Sequence, residues 1–183
     1  MIGEDLSVFS RYPYKSGRIG IFSTGHYIYW PQFPGLKEKL IEHTTYFIDQ
    51  LKEKANATII PANELCDSSE VAFNVGNYFA TQNLDLLFCY VATYTPSAHV
   101  LPVIQRVNAP VVLIGLQPSP GMDYERATTM SQLEHDNITS LPEISCALIR
   151  SGKKPLDVIV GELYNDERSW NRVLEWGQVA TVA

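Results

Sequence analysis

The sequence predicts an α/β protein with a three-layer α/β/α architecture around a five-stranded parallel sheet. Five apolar segments of strand length alternate with segments of helical periodicity, a pattern typical of parallel strands joined by right-handed helical crossovers. Residues 84–91 form a nearly continuous apolar run, as expected for a strand that is covered on both faces. The chain contains no internal repeat or low-complexity segment that would indicate another architecture.

The first strand, helix and second strand follow directly from this pattern. Residues 19–22 form a short apolar strand, and residues 58–60 form another that ends at Pro61. Between Gly35 and Ala55 the apolar positions recur at helical spacing, with charged residues on the opposite face. These residues therefore predict a surface helix with one buried stripe.

The middle of the chain predicts the central strand with a helix on each side of it. Residues 67–70 offer a cap and a first-turn acid for a helix that runs to about Gln82. The apolar run 84–91 is the best candidate for the central strand. A helix is expected over 97–107, and Pro102 should kink or shorten it.

The last third predicts two more strands and one irregular region. Residues 110–115 and 156–160 are the fourth and fifth strands, and 141–150 and 165–179 have helical patterns. Residues 116–139 fall outside the repeat, and a stretch of this length is often functional. The polar, turn-rich residues 1–17 are predicted to be an amino-terminal arm, and 18–183 a single α/β domain.

Composition excludes several classes of partner. The formal net charge is −6 and the Lys and Arg residues are scattered, which disfavours nucleic-acid binding. No apolar run approaches the roughly 18 residues of a membrane helix. The three cysteines, Cys66, Cys89 and Cys146, are odd in number and widely spaced, so we expect buried thiols in a cytoplasmic protein.

Known catalytic and phosphate-binding signatures are missing from the sequence. It lacks Gly-x-Gly-x-x-Gly after the first strand, a Gly-x-x-x-x-Gly-Lys-Ser/Thr loop, and a Gly-x-Ser-x-Gly turn. Nucleotide or flavin binding is therefore disfavoured. His99 and His43 both fall in predicted helices, where we expect His99 to be hydrogen-bonded or solvent-facing and His43 to lie on the surface.

The loop after the first strand is the strongest candidate site. It carries His26, Tyr27 and Tyr29, while Tyr94 follows the third strand and His135 lies beyond the fourth. The carboxyl ends of parallel strands share one edge, where ligands bind. Rings beside polar groups suit a sugar, whose C–H face packs on an aromatic ring while its hydroxyls are hydrogen-bonded. Alternatively, the histidines bond loop backbone and the rings form a packing plug or a subunit contact.

Three motifs in order give the chain a family resemblance. They are Gly-His-Tyr at 25–27, which leads into Tyr-Trp-Pro-Gln-Phe at 29–33, then Thr-Tyr-Thr-Pro at 93–96, and Gln-Leu-Glu-His at 132–135. With these motifs the chain resembles the amino-terminal domain of the L-arabinose and L-fucose isomerase family, in its arabinose-isomerase-like branch. The resemblance covers most of the chain from about Arg18.

The resemblance implies a Rossmann-like (flavodoxin-like) domain with strand order 2-1-3-4-5 in an aldose–ketose isomerase that uses a divalent metal, usually Mn²⁺. It assigns the metal ligands and the acid/base pair to later domains, so no catalytic or metal residue is expected in this chain. Gln132 and His135 would hydrogen-bond sugar hydroxyls across a subunit interface, Tyr94 would line the pocket, and His26 and Tyr27 would border the sugar.

The resemblance leaves the preferred sugar open between a pentose and a 6-deoxyhexose. Gly25 stands where arabinose isomerases tend to carry Gln, and either Ile28 or Tyr29 can take the place of the family's loop tyrosine. The expected function is the substrate-lining and oligomerising first domain of a homo-oligomeric sugar isomerase, inactive without its other domains. The alternative is a stand-alone sugar-binding or regulatory module of flavodoxin-like fold.

Overall fold

Strands and helices alternate along residues 16–181, the part of the chain that the computed structural model describes. The strands are β1 (Gly17–Ser23), β2 (Ala57–Pro61), β3 (Leu86–Tyr90), β4 (Val111–Gln117) and β5 (Asp157–Glu162). The helices are α1 (Leu36–Lys54), α2 (Ser69–Ala80), α3 (Leu101–Arg106), α4 (Thr129–His135), α5 (Ser140–Arg150) and α6 (Glu167–Val179). Short 3-10 turns occur at Tyr27–Tyr29 and Ser97–His99.

All five strands pair in parallel in the order β2-β1-β3-β4-β5. Helices α1, α4 and α6 contribute buried apolar side chains to the core on one face of the sheet, and α2, α3 and α5 contribute to the core on the other face. The predicted three-layer Rossmann-like fold with strand order 2-1-3-4-5 is therefore confirmed.

Strand β3 is the central strand, as its sequence predicts. Leu86, Phe88 and Tyr90 belong to one core, whereas Leu87 and Cys89 belong to the other, and all five side chains are buried. Successive side chains of a strand point to opposite faces. A strand between two helical layers therefore needs apolar residues at every position, which explains the unbroken run.

An aromatic group fills the core between α1, β3 and α6. The Phe47 ring stacks on Tyr90 with a centroid distance of 4.9 Å and an interplanar angle of 14°, and lies 5.4 Å from the Trp170 ring. The Tyr90 hydroxyl donates a hydrogen bond to the Leu116 carbonyl at 3.2 Å. Complete burial raises the pKa of Tyr90, so its phenol stays protonated and keeps this bond.

Two helices differ from the sequence expectation. Helix α3 begins only at Leu101, after the 3-10 turn, and Pro102 lies in its first turn, where a missing N–H breaks no helical hydrogen bond. Helix α4 lies inside the region 116–139 that was expected to be irregular. It is capped by reciprocal hydrogen bonds between Thr128 and Ser131, a polar signal that carries no apolar periodicity.

Further expectations fall at the chain ends and at the cysteines. Most of the predicted arm, residues 1–17, lies outside the described residues, and Gly17 is already the first residue of β1. Cys66 and Cys89 are buried as expected, but Cys146 is exposed on α5, so that expectation was wrong for one thiol. Among residues 16–181, every helix is too short or too polar to cross a bilayer.

Candidate functional site

The strand order places a topological switch point at the carboxyl ends of β1 and β3, the position at which open α/β sheets have a crevice. The chain runs from β1 to β2, which lies on one side of β1. Strand β3 lies on the other side of β1, and the chain runs from β3 to β4, away from β1. The connections from these two strands therefore diverge, and such a switch point is where open α/β sheets bind ligands. The candidate loop 24–35 leaves β1 at this point, and residues 91–100 leave β3.

Asp67, which follows β2, anchors the loop that leaves β1. Its backbone carbonyl accepts a hydrogen bond from the Tyr27 N–H at 3.0 Å. Its carboxylate accepts from Trp30 Nε1 at 2.8 Å and from Lys37 Nζ at 3.0 Å. Lys37 also lies 5.4 Å above the Trp30 ring. These contacts fix the 3-10 turn that carries Tyr27 and Tyr29.

His26 is the centre of a cluster of rings at the crevice. Its imidazole lies 5.5 Å from the Tyr27 ring, 5.2 Å from the Tyr29 ring and 5.0 Å from the His99 ring, each edge to face. Tyr27 is 55% exposed and His99 is 5% exposed, so the cluster runs from the surface into the interior. The structure thus brings together three of the predicted site residues and adds His99.

His99 is held in one tautomer by the loop of β1. Its Nδ1 lies 3.1 Å from the Gly25 carbonyl, which also accepts a hydrogen bond from the Thr95 hydroxyl at 2.8 Å. Because a carbonyl only accepts, Nδ1 carries the proton and Nε2 is an acceptor in the neutral ring. The expectation of a hydrogen-bonded histidine is met, but the sequence did not connect His99 with His26. The Thr95–His99 spacing after β3 is the signal that could have done so.

The His26 imidazole is held in its neutral form. Burial lowers the pKa of His26, the neighbouring His99 lowers it further, and Asp67 opposes the effect. Among residues 16–181, nothing hydrogen-bonds the buried Nδ1 of His26. A buried polar atom without a partner is costly, so it favours a ligand or water that can hydrogen-bond it.

We expect His26 to make stability depend on pH. Its folded-state pKa lies below the ordinary value of 6.5, so its contribution is complete above pH 6.5 and is lost as the pH falls through the folded-state pKa. Denaturant unfolding across this range should show a decline in the unfolding free energy that is smaller in the His26→Asn variant. Identical pH profiles of the two proteins would contradict the assignment.

Tyr29 connects the ring cluster with Tyr94 and with the end of α4. Burial raises the pKa of Tyr29, and the nearby Tyr94 and Asp136 raise it further. The Tyr29 phenol therefore stays protonated and can donate a hydrogen bond. Tyr94, the fourth of the predicted site residues, is half-buried at the exit of β3 and is close enough to Tyr29 to affect its pKa.

The remaining two predicted site residues, Gln132 and His135, lie on α4. Gln132 is exposed, and His135 is half-buried. The Nε2 atom of His135 lies 2.8 Å from Ser119 Oγ, and its Nδ1 donates to the Ser131 carbonyl at 2.8 Å. His135 therefore has its contacts with the loop after β4 and with its own helix. His135 is therefore not among the rings that contact His26, although its neighbour in sequence, Asp136, affects the pKa of Tyr29.

Glu134 ties α4 to α1. Its two carboxylate oxygens accept from Lys39 Nζ at 3.0 Å and from His43 Nε2 at 3.2 Å. His43 Nδ1 lies 2.6 Å from the Tyr164 hydroxyl, which follows β5. His43 was expected on the surface, but its ring is half-buried and connects α1 with α4 and with the residues that follow β5.

We expect Glu134→Gln to loosen α4. Burial raises the pKa of Glu134, but hydrogen bonds from Lys39 and His43 outweigh it and leave the pKa below the ordinary 4.5. The stability it contributes is present above pH 4.5 and is lost as the pH falls through the folded-state pKa.

At neutral pH the variant should lose roughly 1 kcal/mol and exchange its α4 amides faster than its α5 amides. The matched control is Glu53→Gln, at an exposed position of α1. Unchanged exchange in α4 would show that Glu134 does not hold the helix.

The crevice offers hydrogen-bonding groups and ring faces. The His26 imidazole and the Tyr29 phenol can hydrogen-bond hydroxyl groups, and Tyr27 presents an exposed ring. Burial raises the pKa of the Cys66 and Cys89 thiols, which keeps them protonated. Within residues 16–181, no three His, Cys, Asp or Glu side chains are gathered so that they could hold a metal ion. No protein-family model matches the chain, and no curated protein matches it.

Proposed function

We propose that this chain is the substrate-lining and oligomerising first domain of a metal-dependent aldose–ketose isomerase similar to the L-arabinose and L-fucose isomerases. The observation that carries the proposal is the cluster of His26, Tyr27 and Tyr29 at the β1–β3 switch point, with an unpartnered imidazole nitrogen inside it. The three motifs of the family resemblance agree with it. The protein then acts in the cytoplasm on a pentose or a 6-deoxyhexose.

In this proposal the predicted site residues form two groups with different roles, one at the exits of β1 and β3 and the other on α4. His26 and Tyr27 border the sugar, Tyr29 and Tyr94 line the pocket, and the ring faces cover its C–H surface. Gln132 and His135 serve the active site of an adjacent subunit. The exposure of Gln132 and Tyr27 supports this arrangement, because both side chains are accessible to a second molecule.

The reaction itself is assigned to domains outside this chain. By the family resemblance, the Mn²⁺ and the acid/base pair would come from those domains. This chain's part is to bind the sugar, orient it and exclude water from it.

An isomerase assay tests whether catalysis requires domains other than this chain. The 183-residue chain supplied with Mn²⁺ should give no turnover of L-arabinose or L-fucose, whereas the enzyme that includes the metal-binding domains should be active. In that complete enzyme, His135→Ala should reduce turnover while leaving the fold unchanged. Robust turnover by the chain alone, or a less stable His135→Ala enzyme with normal activity, would overturn these assignments.

A second candidate function is a stand-alone sugar-binding or regulatory module. It is favoured by the fact that His26, Tyr27, Tyr29 and His99 form their cluster within a single chain. Calorimetry with pentoses and 6-deoxyhexoses separates the two functions. A self-sufficient module should give tight, saturable binding, whereas a domain that supplies part of a pocket should bind weakly, because few contacts offset the cost of ordering the ligand.

A further inference from the structure

A cavity of about 470 Å³ lies beside α1, and its lining includes Asp67, the residue that anchors the loop carrying Tyr27. It is bounded by the first four turns of α1, by the end of β1 and by residues 62–67, which follow β2. Its lining comes from β1, α1, α2 and the segment after β2, and not from β3 or residues 91–100, so the cavity lies on the β2 side of β1 and not at the β1–β3 switch point. Its volume falls in the range of roughly 300 to 1,000 Å³ that is typical of small-molecule pockets.

One part of the cavity wall is apolar. Ile21 comes from β1, Ile41 and Ile48 from α1, and Leu65 and Val71 from the segment after β2 and from α2. Ile41 remains 45% exposed, so part of this apolar surface faces the opening. Such a wall favours a ligand with an aliphatic or aromatic body, since covering it removes apolar surface from water.

The two threonine hydroxyls in the wall can only accept hydrogen bonds from a ligand. The Thr44 hydroxyl donates its proton to the Leu40 carbonyl at 2.8 Å, and the Thr45 hydroxyl donates to the Ile41 carbonyl at 2.8 Å. A hydroxyl has one proton and two lone pairs. Both oxygens therefore retain acceptor capacity and favour a ligand that donates.

The charged side chains of the wall also favour a ligand that donates hydrogen bonds. Glu64, Asp67 and Lys37 line the cavity, which gives one carboxylate more than the single ammonium group. The Lys37 ammonium already pairs with Asp67 at 3.0 Å. Lys37 is the one cation among the described residues of the wall, so a ligand carboxylate would compete with Asp67 for it, whereas a ligand ammonium group would meet the Glu64 carboxylate.

We propose that this cavity binds a small organic cation, an amine whose ammonium group faces Glu64 and the threonine oxygens and whose apolar body packs on the isoleucines. The site is separate from the proposed sugar crevice and shares none of its proposed sugar-contacting residues. Its failure would leave the proposed function untouched, and the reverse also holds.

The test uses the whole chain and three probes of similar size: phenethylamine, 2-phenylethanol and 3-phenylpropionate. NMR titration should show saturable shifts at the amides of Ile41, Thr44 and Leu65 with the amine. The amine should bind at least about threefold more tightly than the alcohol, and the carboxylate least tightly. Equal binding of the three probes, no binding of the amine, or shifts confined to other residues would overturn the proposal.

Two variants sharpen the test. Glu64→Gln should weaken amine binding roughly three- to tenfold and leave alcohol binding unchanged, while the charge-matched control Glu53→Gln leaves both unchanged. Ala62→Phe should fill part of the cavity and weaken all three probes. Glu64 is exposed, so its variant should fold normally, which circular dichroism can verify. Full amine affinity in Glu64→Gln would contradict the assigned cation site.

Discussion

Asn137→Asp should destabilise the fold by roughly 3–5 kcal/mol, because it places an unpaired charge in the interior. Asn137 is 1% exposed, and its Nδ2 lies 2.9 Å from the Val91 carbonyl and 3.2 Å from the carbonyls of Ala92 and Leu116. An aspartate has no proton to donate when ionised. It would face three carbonyl oxygens that have lost their donor, so its pKa should rise and part of it should be protonated.

Asn137 also holds the loop that leads from β3 to Tyr94. The carbonyls that Asn137 binds belong to the ends of β3 and β4, and the β3 end leads directly to Tyr94. Loss of these bonds should therefore free the loop that carries Tyr94, in addition to lowering stability. Asn137 thus links the loop after β3 with the segment that follows His135.

Denaturant unfolding checks the Asn137 prediction with two comparison variants. Asn137→Ala removes the donor without adding a charge and should cost roughly 2–3 kcal/mol. Asn63→Asp makes the same chemical change at an exposed position and should have an effect within about 0.5 kcal/mol. An Asn137→Asp protein as stable as the Asn63→Asp protein would show that the three carbonyls do not depend on Asn137.

Phe47→Ala should cost roughly 3–5 kcal/mol of unfolding free energy. The Phe47 side chain is fully buried between Tyr90 of β3 and Trp170 of α6, and it belongs to α1. Its removal leaves a cavity where three elements meet. The neighbouring rings are large and rigid, so they cannot close it fully.

The matched control is Phe73→Ala on α2. Phe73 is 44% exposed and lies under the Arg106 guanidinium at 3.7 Å, so its loss should cost no more than about 1 kcal/mol. Equilibrium unfolding of both variants gives the comparison. Equal losses in the two proteins would contradict the assignment of the aromatic core to Phe47.

The sequence predicts an element of the fold correctly where burial requires apolar residues at defined positions of that element. The apolar run of β3 and the stripe of α1 leave few alternatives, because each must face a helical layer or a sheet. Helix α4 was not predictable in this way. It has seven residues and one buried side chain, Leu133, and its cap consists of Thr128 and Ser131, which also suit a turn.

The position of the candidate site could be predicted from the sequence, but the contacts between its residues could not. The exits of β1 and β3 follow from the strand pattern, and they carry His26, Tyr27, Tyr29 and Tyr94. Which histidine meets His26 depends on loop geometry, and the partner is His99, held by the Gly25 carbonyl. The bridging role of His43 likewise depends on how α1 packs against α4 and against the residues that follow β5, which local periodicity does not encode.

The central claim is that the β1–β3 crevice binds a sugar, and an NMR titration of the whole chain with L-arabinose and L-fucose tests it most directly. Glycerol serves as the control polyol. We predict weak, saturable shifts at His26, Tyr27, Tyr29, Tyr94 and the His99 ring, with a Kd in the millimolar range or roughly −4 kcal/mol. These shifts should be lost in His26→Ala. Shifts that are absent, that glycerol reproduces, or that persist in His26→Ala would contradict the claim.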